Sequence, residues 1–163
     1  RYYKLSDVGI LPHPVQKPGI PIWIVADRSE NGFKRVGRLG DGWVTLAPTL
    51  ERFAAARHKI DQYARDHGRV GKSPVTALYA AFNIQTDGER ARDEGWQWME
   101  RFFEQPKEKL GHFFAIFGTP EECERLLKAY AAAGLTAIIA RIASDDMPSH
   151  ARLLLNEIKP QLA

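Results

Sequence analysis

Four times along this chain a short apolar run is followed by the start signal of a helix, and that alternation narrows the possible folds more than any other feature. Ile22-Trp-Ile-Val25, rich in β-branched and aromatic residues and preceded by Pro21, reads as a buried parallel strand. The polar turn Asp27-Arg-Ser29 ends it, with Ser29 placed as a helix N-cap. Phe33 and Val36 share one face of that helix. Gly40-Asp-Gly42 closes it before a second strand, Trp43-Val-Thr-Leu46, which Pro48 ends. Thr49 caps a second helix, with Phe53, Ala56, Ile60 and Tyr63 at helical spacing and His67-Gly68 at its end.

The longest apolar run, Val75 to Ile84, is the third strand, and its Ala77, Ala80 and Ala81 leave room for close packing or for a ligand. Thr86-Asp-Gly-Glu89 has capping-box spacing. The helix behind it places Ala91, Gly95, Trp98 and Phe102 on one face before Gln105-Pro106. Residues 107–117, apolar at Phe113, Phe114, Ile116 and Phe117, read as a short helix. Thr119-Pro-Glu-Glu122 is the strongest local signal, with an N-cap, proline at N1 and glutamate at N3. Cys123, Leu126, Leu127, Tyr130 and Ala131 form the stripe behind it, and Gly134 sits just past its end. Thr136 to Ile142 is the fourth strand, and a last helix over Pro148 to Ile158 buries Leu154 and Ile158 and stops before Pro160.

Strands separated by helices imply a parallel sheet with right-handed crossovers, whose ligands bind in the loops beyond the strands' carboxyl ends. Those loops are Ala26 to Ser29, Leu46 to Pro48, Gln85 to Asp87 and Arg141 to Ser144. The first is the leading anion site: a helix N-terminus offers unpaired N–H groups and Arg28 adds a guanidinium. The plainer alternative is that Ser29 only caps the helix while Arg28 is solvated. Arg141 either faces a site at the strand end or pairs with Asp145 or Asp146. His13, His58, His67, His112 and His150 show no metal-ligand spacing. His58 and His67 fall on a helix surface, and His112 sits among aromatic residues where packing competes with a pocket. Cys123 belongs to a buried stripe and reads as core. Trp96 and Trp98, two apart, face different sides of their helix. Gly68-Arg-Val-Gly-Lys-Ser73 lacks the spacing of a phosphate loop and precedes a strand instead of following one.

With 163 residues, 44% of them hydrophobic and 26% charged, the chain suits one globular domain, entered by an extended lead-in over residues 1–19 that carries Pro12, Pro14 and Pro18 across a surface. No apolar run approaches the ~20 residues of a membrane span. The net charge of +3 is scattered, which argues against nucleic acid. A single cysteine excludes an internal disulfide and fits a reducing, cytoplasmic setting.

Pro14-Val-Gln-Lys-Pro18, Pro21-Ile-Trp-Ile24, Arg38-Leu-Gly-Asp-Gly-Trp43, Gly118-Thr-Pro-Glu-Glu122, Ala132-Ala-Gly-Leu135 and Ile138-Ile-Ala-Arg141 resemble, in order, the second half of the luciferase-like monooxygenase family. The resemblance implies the carboxyl-terminal half of a (β/α)8 TIM barrel, strands five to eight, with Arg1 in the insertion after strand four. It further implies part of a flavin- or deazaflavin-dependent oxidoreductase, with FMN or coenzyme F420 supplying hydride transfer or oxygen activation on a small-molecule substrate. In that family the turn after strand five, often Gly-Gly-Asn-Ser-like, cradles the cofactor phosphate, and Val25, Ala26, Asp27 and Arg28 occupy it here. Cofactor contacts are therefore expected at Ala26, Asp27, Arg28, Ser29 and Arg141, with no metal and no residue singled out as acid, base or nucleophile. The other reading is a non-catalytic half-barrel that binds a partner. Under both readings four parallel strands cannot close a barrel, so the inner face and two edges call for a cover. A second copy, an amino-terminal half-barrel or a rearranged helix would supply it; no membrane or nucleic acid is expected.

Overall fold

A computed structural model describes residues 2–9, 11–17, 19–46, 49–69, 71, 74–111 and 114–162. The alternation holds, with five parallel strands instead of four. They are β1 (Trp23–Val25), β2 (Gly42–Thr45), β3 (Val75–Ile84), β4 (Ala115–Gly118) and β5 (Ala137–Ile142). Between and after them run α1 (Glu30–Leu39), α2 (Leu50–Asp66), α3 (Gly88–Phe103), α4 (Pro120–Ala132) and α5 (Met147–Leu153).

The register places Trp23 opposite Gly42, Gly42 opposite Val75 and Ala77 opposite Ala137, so β1, β2, β3 and β5 form one continuous parallel layer. The backbone of β3 sorts its neighbours. The amides of Val75, Ala81 and Gln85 donate to Asp41, Phe114 and Gly118, whereas the carbonyls of Thr76 and Phe82 accept from Thr136 and Ala143. Odd-numbered residues thus bond toward β2 below and β4 above, and even-numbered ones toward β5. The strand is long enough to outrun β2, and β4 takes the length left over.

One face of this layer is covered. Ile24, Trp43, Leu78, Phe82 and Ile84 point into a core that Phe33 and Val36 of α1, Phe53 and Ile60 of α2, and Leu127 and Tyr130 of α4 fill. Helix crossings are tight: a Cβ on Gly37 would stand 2.9 Å from the Ile60 carbonyl oxygen, so only glycine lets α1 lie this close to α2. The reciprocal capping box of Thr119 and Glu122 fixes the start of α4, and the Thr119 backbone N–H, followed by Arg92, holds the Glu122 carboxyl below its ordinary range.

The opposite face is largely bare. Trp23 is 44% exposed, Val25 65% and Ile139 38%, so β1 is not the fully buried strand that its composition predicts. Only its upper part is covered, where Met99 of α3 and Leu110 close over Ala81.

Several boundaries differ from expectation. Residues 107–117 are not one helix: a 3-10 turn over Lys107–Lys109 leads to β4, which carries Ile116 and Phe117. Asp87, not Thr86, caps α3, accepting from Glu89 and Arg90. The buried face of α3 runs Ala91, Gly95, Met99, while Phe102 stays exposed. The last helical stretch does not stop before Pro160; α5 runs into a π turn (Leu154–Ile158) and a 3-10 segment (Lys159–Leu162). The lead-in stands clear of the fold, with Tyr2 98% exposed, instead of crossing its surface. Pro18, Pro48, His112, Phe113 and the Lys72-Ser73 pair lie outside the described residues. Among the described residues no helix is long and apolar enough to cross a membrane.

Candidate functional site

The turn after β1 is held from three sides. The buried Trp43 indole donates Nε1–H to the Ala26 carbonyl at 2.7 Å, and the Ala26 amide donates to Val44 at 3.1 Å. Asp27 Oδ1 accepts from the Thr45 hydroxyl at 2.7 Å and the Leu46 amide at 2.6 Å. The carboxylate therefore ties the loops after β1 and β2 together. Its charge is engaged there by two donors.

Beyond that turn α1 begins. Ser29 Oγ accepts from the Gly32 amide at 3.2 Å and the Phe33 amide closes on the Ser29 carbonyl, so Ser29 is an N-cap. The helix presents its first-turn N–H groups and the positive end of its dipole outward. Arg28 is exposed beside it. Gly32 packs on Ala26, where a Cβ would come 3.1 Å from the Ala26 Cβ. The first acidic residue of α1, Glu30, turns away: Lys59 at 2.7 Å and the Tyr63 hydroxyl hold its carboxyl below the usual range.

A cleft of about 860 Å³ opens over this helix start, between α1 and α2. Ala26, Asp27, Arg28 and Ser29 all line it, together with Arg35 of α1 and Arg52 and Lys59 of α2. Four of the five expected contact residues are thus brought together around one concavity. The donor set, a helix N-terminus beside guanidiniums that have no carboxylate partner among the described residues, fits a phosphate group.

Arg141 is not among them. It lies across from Ala81 on the far side of β3, and β1 is three strand spacings away, about 14 Å across the sheet. Its Nε donates to the Tyr79 hydroxyl, and its guanidinium lies 4.5 Å from the centre of the Phe102 ring and 5.7 Å from that of Tyr79. Asp145 pairs with Arg101 instead, and Asp146 caps α5, so the ion-pair alternative for Arg141 does not form. Arg141 faces the bare side of the sheet near the strand ends, in an aromatic clasp.

Other candidates resolve as structure. Cys123 is buried, and burial pushes its thiol up to about 12. His150 is buried and accepts the Ile84 amide on Nδ1 at 3.0 Å, locking α5 to the end of β3. His58 and His67 are on the surface of α2 and at its end. Trp96 packs edge-on against Phe117, and Trp98 stacks on Phe102. No cluster of metal-binding side chains occurs among the described residues. Trp43, Arg35 and Arg52 were not legible as site residues. Each sits on an element adjacent to the β1–α1 turn only once the sheet is assembled, although Arg52 follows the β2 loop within one helical turn.

The sequence pattern of luciferase-like monooxygenases matches residues 1–110. No curated protein matches the chain. Among solved structures it is similar to the monooxygenase RslO1 from Streptomyces bottropensis, with 18% identity, a TM-score of 0.78, and coverage of 100% of this chain and 54% of that one. The coenzyme F420-dependent tetrahydromethanopterin reductase from Methanopyrus kandleri gives 19% identity, a TM-score of 0.69, and 88% and 51% coverage. EDTA monooxygenase from Chelativorans sp. BNC1 gives 14%, 0.70, and 99% and 48%. The chain spans about half the length of the solved structures it matches.

Proposed function

This chain belongs to the luciferase-like monooxygenase family, and from that premise we propose that its β1–α1 turn anchors the phosphate of a flavin-type cofactor, FMN or F420, while the bare face of the sheet forms one wall of the pocket. The observation that carries this reading is the joint opening of the Ser29-capped helix and Arg28 onto one cleft. The turn fits a phosphate without the paired glycines expected there. The Ala26 side chain is turned onto Gly32, and the Asp27 carboxylate is spent on Thr45 and Leu46, which leaves the N–H end of α1 clear. Bound there, the cofactor would supply redox chemistry at its ring system. The protein's part is to fix the phosphate, keep the turn rigid through Trp43, and present Arg141 with its aromatic clasp toward the pocket for an anionic or planar substrate group.

The exposed Trp23, Val25 and Ile139 also support a partner. A second copy or an amino-terminal half-barrel would cover them, and a half-barrel that binds such a partner without chemistry is the second reading.

Equilibrium dialysis against FMN and against F420 tests the anchor. Retention of either cofactor, weakened about tenfold or more by Arg28→Ala, is expected. Failure to retain both at millimolar cofactor would sink the proposal and leave the second reading.

A further inference from the structure

We propose that the helix side of the sheet carries a second binding site, a groove between α4 and the π turn that takes an aliphatic carboxylate. It lies over β5, at the opposite edge of the layer from β1, so it stands independently of the cofactor reading. Its volume is about 540 Å³, within the ~300–1,000 Å³ of small-molecule sites. Two alanines open it. Ile138 and Ile142 of β5 reach the core on this face, whereas Ala140 between them is exposed and leaves the space above the strand unfilled. Ala131 does the same on α4. The other wall is the π turn, which gives up regular helical bonding over Leu154–Ile158, a distortion frequent at functional sites. It sets Leu154 and Leu155 against the groove, and Leu155 stays 54% exposed there.

The lining selects the ligand. Its apolar part is leucine, isoleucine and alanine without an aromatic ring, which suits a flexible alkyl chain and gives a planar group nothing to stack on. Thr136 is spent on the Thr76 backbone, accepting from its amide and donating to its carbonyl. That leaves Lys159 as the charge on the groove among the described residues, with no acid beside it in the lining. Lys59 and Lys128 pair with Glu30 and Glu124, whereas Lys159 has no carboxylate partner among the described residues. An alkyl chain laid over Ala140 with its carboxylate at Lys159 would bury apolar surface on both partners and keep both charges at the water's edge. The aliphatic lining sets the tail, and Lys159 sets the sign of the head group.

Titration calorimetry with decanoate, below its micelle concentration, tests the site, and saturable uptake of one decanoate per chain is expected. Octanoate, shorter by two methylenes, should bind about tenfold more weakly. Ala140→Leu fills the groove and should weaken decanoate about tenfold or more. Leu155→Glu, at an exposed position that tolerates a charge, should do the same by repelling the carboxylate, and it decides the matter if circular dichroism shows Ala140→Leu to be misfolded. Lys159→Glu should cost decanoate about fivefold and leave decanol unchanged. Absence of saturable binding would overturn the inference. So would decyltrimethylammonium binding as tightly as decanoate, or affinity that survives both Ala140→Leu and Leu155→Glu. Loss of binding in Val25→Asp, with Ala140→Leu unaffected, would place the ligand on the bare face and overturn it as well. None of these results bears on the phosphate anchor, whose own test uses a different ligand and a different variant.

Discussion

The two faces of the sheet are made from the same kinds of residue and end in opposite states. Trp43, Leu78 and Phe82 are sealed by α1, α2 and α4 and Ile24 is half-buried against them, while Trp23 and Val25, on either side of Ile24 in β1, and Ile139 of β5 meet solvent. A strand apolar at consecutive positions is written for burial on both sides. This chain covers one side and only the top of the other. The contrast places the packing that stabilises the fold on the helix side and leaves most of the other side without a cover among the described residues.

Matched substitutions test this most severely. Val36→Asp places an unpaired charge in the sealed core and is expected to abolish cooperative unfolding, at a cost of about 4 kcal/mol or more. Val25→Asp makes the same chemical change on the bare face and should alter stability by no more than about 0.5 kcal/mol, a melting shift of about 2 °C or less. Thermal circular dichroism at micromolar protein reads both. Equal losses would mean that Val25 is already buried by another copy in solution.

The dryness of the sealed face has a chemical readout in Cys123. Its thiol is raised from 9.0 to about 12, first by burial and then by the neighbouring Glu122. In the unfolded chain it ionises near 9, in the folded one only near 12, so between those values the folded state holds the extra proton. Stability from this group is complete below pH 9 and is lost as pH climbs toward 12. At pH 8, alkylation by iodoacetamide should be slow in the native protein and rapid in denaturant, read by intact mass. Native labelling at the rate of a free thiol would show the helix side to be open as well.

How much of this could be read beforehand depended on whether the signal was local. The alternation, the Ser29 and Thr49 caps and the Thr119–Glu122 box are decided within one turn of chain, and all formed. The strand β4 was misread because four residues carry too little periodicity to tell strand from helix, and what makes Ala115–Gly118 a strand is the length of β3 left vacant beyond β2. Met99 instead of Phe102 lies on the buried side of α3 because the nearest cover is Ala81, a tertiary fact. Four of the five expected site residues converged because they are contiguous in sequence. Arg141 did not join them, since strand-end position says nothing about distance across the sheet.

A smaller effect is expected from Trp43→Phe, which links the sealed face to the site. Phe keeps the aromatic contacts, 6.4 Å edge-on to Phe33 and 5.5 Å stacked on Phe53, in attenuated form. It removes the donor to the Ala26 carbonyl, leaving that oxygen unpaired at a cost of about 1–3 kcal/mol. Urea unfolding measures this loss. Anion affinity should fall with it because the turn loses its brace, and undiminished affinity would show that Trp43 supports only the core.

The least disruptive change is Asp27→Asn, and it separates the two duties of that carboxylate. The amide keeps an oxygen for the Thr45 hydroxyl and the Leu46 amide, so only the charge-assisted part of those bonds is lost, about 1 kcal/mol or less. It also removes a negative charge from the lining of a cleft that otherwise carries Arg28, Arg35 and Arg52. Phosphate-bearing ligands should bind about two- to fivefold tighter at low salt, with the gain shrinking as salt screens the cleft. Weaker binding would mean that the ionised Asp27 is what holds the turn in its anion-binding shape, and that the hydrogen bonds to β2 matter more to the site than the field within it.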